Sequence, residues 1–232
     1  FDFSTAEGAT SALTNPNLAA RYMAWSALEK MGAKAVPALE KLYGSDNPRH
    51  RARALWALGK LSGNGDHYVE LAIGDSDPNI RIVGLRLARQ ISDDTTGVVK
   101  KLVKDKSAQV RRECAIAIRA IDSDTAADLW ADLALQHDGK DRWYLEALGI
   151  GANNKWDACL AAWLKKVGDK WSSDAGKDII WRSRATATPG YLAKIVQDPK
   201  TPKETHPRYM RAFDFLSGPE KEKALQSILL GL

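Results

Sequence analysis

The sequence has few of the residues that usually announce chemistry. Its 232 residues include only two cysteines, Cys114 and Cys159. They stand far apart, and no Cys-x-x-Cys occurs, so no zinc, iron–sulfur or covalent haem site is written here. Both lie in apolar helical surroundings, which suits buried thiols. Two cysteines also suffice for one disulfide, so the count leaves the compartment open. The four histidines, His50, His67, His137 and His206, are at least 17 residues apart. None has a histidine or cysteine partner at metal-ligand spacing. His137-Asp138 reads as a solvated loop in preference to a proton-transfer pair. No Gly-x-Ser-x-Gly nucleophile motif appears. The expectation is a segment with no catalytic residue, no metal site and no cofactor.

Other absences bound the fold. No stretch approaches the ~18 uncharged apolar residues of a membrane span. A charged n-region followed by an apolar run is missing, so no signal peptide is read. The chain opens Phe1-Asp2-Phe3 without Met and reads as a processed or excised piece. Alternating β-branched runs and Asn-Gly hairpins are lacking, so no strand is expected. The net charge of +5 is spread along the chain: −2 over 1–14, +3 over 15–134 and +4 over 135–232. A nucleic-acid module usually concentrates its charge in a stripe or patch, which makes nucleic acid an unfavoured partner. Two near-motifs also fail. Asp75-x-Asp77-x-Asn79 opens like a calcium loop, but Ile80 and Arg86 occupy the positions that need Gly and Glu. Gly149–Asn154 resembles a dinucleotide turn, yet it follows a helix and lacks the third Gly.

What is present is a repeat. Arg21, Arg51, Arg81 and Arg111 are spaced by 30 residues, and Arg142 follows after 31. Leu39, Val69, Val99, Leu129 and Leu160 lie eighteen residues after each arginine. Asn15, Ser45, Asp75, Asp105 and Gln136 lie six before. Each unit reads helix, turn, helix. In the third, Asp77-Pro78 opens a helix whose apolar face is Ile80, Val83, Leu87 and Ile91. A lone pair of such short helices cannot bury its apolar face, whereas stacking on neighbouring pairs can. The expected architecture is all-α: a right-handed α-solenoid of about seven helix pairs, with no β-sheet. Residues 1–14 are expected as a linker or irregular cap, 15–134 as four regular repeats, and 135–232 as three divergent ones.

Asp75-Ser76-Asp77-Pro78-Asn79-Ile80-Arg81 and Asp105–Arg112 resemble the Asp…Val/Ile-Arg signature of HEAT repeats. Leu55–Gly59, Gly84–Gln90, Val110–Cys114, Asp138–Gly149, Ile180–Arg184 and Arg211–Phe215 are together similar to the HEAT region of large exported planctomycete-type proteins. Those combine a membrane-bound dehydrogenase-like propeller, a HEAT region and a c-type cytochrome with a Cys-x-x-Cys-His motif. The resemblance implies a periplasmic or otherwise exported connector in a redox protein. It transfers no catalytic residue, because propeller and haem motif are missing here.

Two residue classes are candidates for partner binding. The arginine column either forms a guanidinium ladder for an acidic partner or, as favoured, pairs with turn aspartates of its own stack. Arg53, Arg86 and Arg112 lie off that register and read as free surface charge. Six of the eight tryptophans fall between 130 and 181. Interleaved with Arg142, Lys155, Arg182 and Arg184, the six either form an aromatic-basic recognition surface or, as favoured, fill the core of irregular repeats. Trp143, Trp156 and Trp171 sit near helix starts or turns and read as the exposed ones. The expected function is a non-catalytic, monomeric scaffold whose partner is a protein. The alternative is a nucleic-acid-binding protein of the alkylpurine DNA glycosylase type, and a chromophore-lyase-like accessory role is a third reading by fold analogy alone.

Overall fold

The computed structural model describes residues 1–92 and 95–231; the final residue of the last divergent repeat, 232, lies outside the described residues. Every regular element among them is helical. The chain forms two compact units, Phe1–Glu113 and Cys114–Leu232. The division falls inside a helix and ahead of residue 134, where the 30-residue register loosens.

In the first unit, α1 (Ala6–Leu13), α2 (Leu18–Met31), α3 (Val36–Tyr43), α4 (Pro48–Leu61), α5 (Gly65–Ile73), α6 (Pro78–Ile91) and α7 (Thr96–Leu102) follow in order, and α8 (Ala108–Ile118) carries the boundary. The helix starts are set by local chemistry. Asn17, Asn47 and Asp77 cap α2, α4 and α6, each side chain accepting the N–H two residues on. Pro48 and Pro78 take first-turn positions where no N–H is needed. Three first helices lie side by side, α4 against both α2 and α6, while α3 and α5 pack on the helices that follow them. Leu28, Leu39, Leu55, Leu58, Ile80 and Leu85 are fully buried between them. Gly59 lets α4 meet α6: a Cβ there would stand 2.2 Å from Cδ2 of Leu87. These stacked helix pairs are the local geometry of an α-solenoid.

Residues 1–14, expected as a linker or irregular cap, hold a short helix. Residues 6–13 form α1, capped by Thr5 and burying Ala9, Ala12 and Leu13. It packs on α2 and α3, where the second helix of a preceding pair would lie. Eight residues give too few periods for the sequence pattern to stand out.

The arginine column is tied into this unit. Arg81 grips Asp105 through Nε and Nη2 (2.7 and 2.8 Å), and its Nη1 donates to the carbonyls of Asp75 and Ser76. Arg51 pairs with Asp75 through Nη2, and Arg111 donates to the Asp105 carbonyl at 2.7 Å. Each aspartate also accepts the N–H two residues on, from Asp77 or Ser107. One carboxylate therefore shapes its own turn and holds the arginine of the preceding repeat.

In the second unit, α9 (Asp124–Ala134), α10 (Arg142–Gly151), α11 (Trp156–Val167), α12 (Asp174–Arg182), α13 (Thr188–Gln197), α14 (His206–Ala212) and α15 (Pro219–Gly231) continue the alternation. First helices α10, α12 and α14 neighbour one another in turn. Second helices pack as α9 on α11 and α13 on α15. Trp130 and Trp163 are buried in this core. The Indole N–H of Trp130 donates to the Leu148 carbonyl at 2.8 Å. Neither Cys114 nor Cys159 is in a disulfide, and burial pushes the Cys159 thiol up to about 12. No helix among the described residues is long and apolar enough to cross a membrane.

Candidate functional site

The second unit assembles arginines and aromatic rings on its first helices. Arg142 opens α10, Trp181 and Arg182 close α12, Arg184 follows it, and Arg208 lies in the first turn of α14. Two guanidinium groups lie over the Trp181 ring, Arg208 Cζ 4.7 Å and Arg142 Cζ 5.8 Å from its centroid. Its indole N–H donates to the Arg208 carbonyl at 3.1 Å. Arg184 stacks on Phe215 at 4.7 Å, and its Nη1 donates to three consecutive carbonyls, of Trp181, Arg182 and Ser183. Trp143 is 72% exposed and Phe215 63% exposed. Phe215 carries a cation on its ring, and Trp143 follows Arg142 in the chain.

Two carboxylates lie inside the cluster. Glu146 accepts from Arg142 at 2.9 Å and Arg182 at 3.0 Å. Asp178 accepts from Arg208 at 2.6 Å and meets Nε2 of His137 at 3.0 Å. Burial pushes the Arg184 pKa down, with the neighbouring Arg182 charge in the same direction. Four guanidinium groups against two carboxylates leave the surface net positive.

Gly149 makes room for this arrangement. A Cβ there would stand 2.2 Å from Cζ of Arg182. The arginine side chain is long enough to move aside, so Gly149→Ala is expected to displace it from Glu146. That partly exposed pair is worth under ~1 kcal/mol, and alanine improves the helix by a similar amount. Urea denaturation should therefore find stability nearly unchanged while partner binding weakens.

His137 corrects the sequence reading. It is buried, not in a solvated loop, and its partner is Asp178 instead of Asp138. It stacks on Tyr144 with centroids 6.2 Å apart. Asp138 serves its own turn, accepting from the N–H groups of Lys140 and Asp141. Burial alone would raise the Asp178 carboxyl, but the bonds from His137 and Arg208 and their charges hold it below its usual value. A depressed folded-state pKa contributes stability above the unfolded value and loses it as pH falls through the folded one. Urea midpoints between neutral and strongly acidic pH should fall less steeply for Asp178→Asn than for the wild type.

The remaining sequence candidates fall elsewhere. Trp156 is half-buried, edge-on to Trp130 at 5.6 Å, and Trp171 is half-buried against Tyr191 at 4.8 Å. Both belong to packing, not to the exposed set. Arg53 is not free surface charge: it is half-buried and donates to the Leu13 carbonyl at 2.6 Å. Arg86 pairs with Glu113 at 2.8 Å. Arg112 is half-buried on α8, in the first unit. Trp181, Arg208 and Phe215 were missed as site residues. One signal was available for Arg208, which stands one 30-residue step after Asp178. Among the described residues no group of three or more His, Cys, Asp or Glu is arranged to hold a metal ion.

Residues 6–69 match the family described as HEAT repeats. Among solved structures, the chain is similar to a crystal structure of an engineered protein, with 18% identity and a TM-score of 0.40. The similarity covers 97% of this chain and 71% of that one. No curated protein matches the chain. The family match carries the repeat likeness alone, and HEAT repeats suggest a protein-interaction scaffold in general terms.

Proposed function

We propose that this chain is a non-catalytic docking module that holds a protein partner on the arginine–aromatic surface of Cys114–Leu232. The observation that carries this reading is the exposure of Phe215 under Arg184 and of Trp143, next to Arg142 on α10, in the unit where Arg142 and Arg208 lie over Trp181. Exposed aromatics with arginine are the side chains that most often dominate binding energy at protein interfaces. In this reading the segment holds no cofactor and works as a monomeric unit of a larger exported polypeptide. The resemblance to dehydrogenase-like proteins supports a redox domain or cytochrome as its neighbour. A native mass well above 25.5 kDa with a c-type haem spectrum would support that context.

The same clustering favours a second reading, nucleic-acid binding, because cations and exposed rings meet on one surface. Glu146 and Asp178 inside the cluster argue for a protein, since they would repel a phosphate backbone. A Trp143→Ala, Arg184→Gln double variant, purified from its native host beside the wild type, tests the proposal. Specific loss of a co-purifying protein supports docking. Unchanged protein partners, with salt-sensitive oligonucleotide binding by the wild type, would favour the second reading.

A further inference from the structure

The first unit carries a separate groove of about 440 Å³ on α2, α4 and α6. Its apolar lining includes Leu13, Ala52 and Val83, and Trp25 and Trp56 line it beside Arg21 and Arg53. The Lys60 ammonium lies 5.2 Å over the Trp56 ring. Spaces of ~300–1,000 Å³ take small ligands or a few side chains, not a folded domain.

Arg21 and Arg53 differ from the unit's other paired arginines. Arg51 holds Asp75, Arg81 holds Asp105, and Arg86 and Arg89 share Glu113. Arg21 donates only to the carbonyls of Asn15 (3.0 Å) and Pro16 (2.7 Å). Arg53 donates only to those of Leu13 and Asn15. Among the described residues neither has a carboxylate partner.

The repeat register explains the difference. Arg51 and Arg81 each reach an aspartate 24 residues on. Twenty-four residues after Arg21 stands Ser45. The Nε and Nη2 edge that grips Asp105 in Arg81 therefore holds no acid in Arg21. Burial, and then the charges of Arg21 and Arg49, push the Arg53 pKa down, as expected of a cation facing cations. Two guanidinium groups without an acid match carboxylates bidentately, and the tryptophan walls match aliphatic side chains.

We propose that this groove binds an acidic peptide segment, seating Asp or Glu carboxylates on Arg21 and Arg53 and an aliphatic neighbour against Trp25 and Trp56. A nucleic-acid strand fits less well. Its phosphates need an extended basic stripe, and Glu113 sits against Arg86 at the groove's edge. The proposal is independent of the docking surface on the second unit.

A fluorescein-labelled peptide of Glu, Leu and Gly, and its Gln-for-Glu counterpart, test it by anisotropy with the whole chain. The Glu peptide should bind roughly ten-fold more tightly, the worth of one charge-assisted hydrogen bond. Ser45→Asp should restore the missing rung. Its carboxylate can accept the Asn47 N–H that Ser45 now accepts, as Asp75 does for Asp77. Peptide affinity should then fall roughly ten-fold, with no loss in urea midpoint. Arg53→Gln and Trp56→Ala should weaken binding, whereas Arg89→Gln, which removes a charge outside the groove, should not. Equal binding of the two peptides, or unchanged affinity in Ser45→Asp, overturns the proposal. So does an oligonucleotide that binds with steep salt dependence where the Glu peptide does not.

Discussion

Arg81→Leu is expected to lower the urea midpoint of the Phe1–Glu113 transition by about 1.5–2.5 M. This corresponds to about 3–5 kcal/mol for breaking a buried ion pair from one side, at a slope of about 2 kcal/mol/M. Arg81 is 5% exposed and makes four bonds, two to Asp105 and two to carbonyls of the preceding turn. Leucine leaves the Asp105 carboxylate buried without its cation. Arg81→Met combined with Asp105→Leu removes both charges and should be milder than the single change. The wild-type carboxyl is governed by opposing effects. Burial would raise its pKa, but bonds from Arg81 and the Ser107 N–H, with the Arg81 and Arg111 charges, hold it below its ordinary 3.8. Its contribution is therefore present above about that pH and lost as pH falls through the folded value. Without Arg81 burial dominates, so acid unfolding of the variant should begin at higher pH than in the wild type.

Trp130→Ala should cost the Cys114–Leu232 unit about 3–5 kcal/mol, the usual range for emptying a large aromatic site in a core. Trp130 is 0% exposed, donates to Leu148 and meets Trp156 edge-on. The Leu148 carbonyl also accepts the Ala152 N–H, so it stays satisfied and the loss is mainly packing. Trp130→Phe keeps a ring in the site and should lose less. Trp156→Ala, at a half-exposed position, should also lose less. Equal losses for Trp130→Ala and Trp156→Ala in urea titrations would contradict this placement of the core.

The helix-pair repeat was legible because its signals are local. The 30-residue spacing of Arg21, Arg51, Arg81 and Arg111 is read directly along the chain, and the Asp77-Pro78 start is set within a few residues. The arginine–aspartate pairing was legible too, since Asp75 and Asp105 keep the register of the column they serve. What sequence reasoning missed depends on which helix sides meet. A tryptophan near a turn is no guide to exposure: Trp143 stands in solvent, while Trp156 and Trp171 lean on Trp130 and Tyr191. His137 and Asp178, 41 residues apart, are joined only when α12 packs beside α10. Arg53 read as surface charge because nothing in the sequence shows that α1 ends beneath it.

The most direct test of docking is photo-crosslinking in the native host. A photoreactive residue replaces Trp143 in the full-length protein, with one in place of exposed Lys165 on α11 as control. The account predicts a discrete protein adduct from position 143, absent from 165 and reduced by Arg184→Gln. Adducts to nucleic acid alone, or the same protein adducts from both positions, would contradict it.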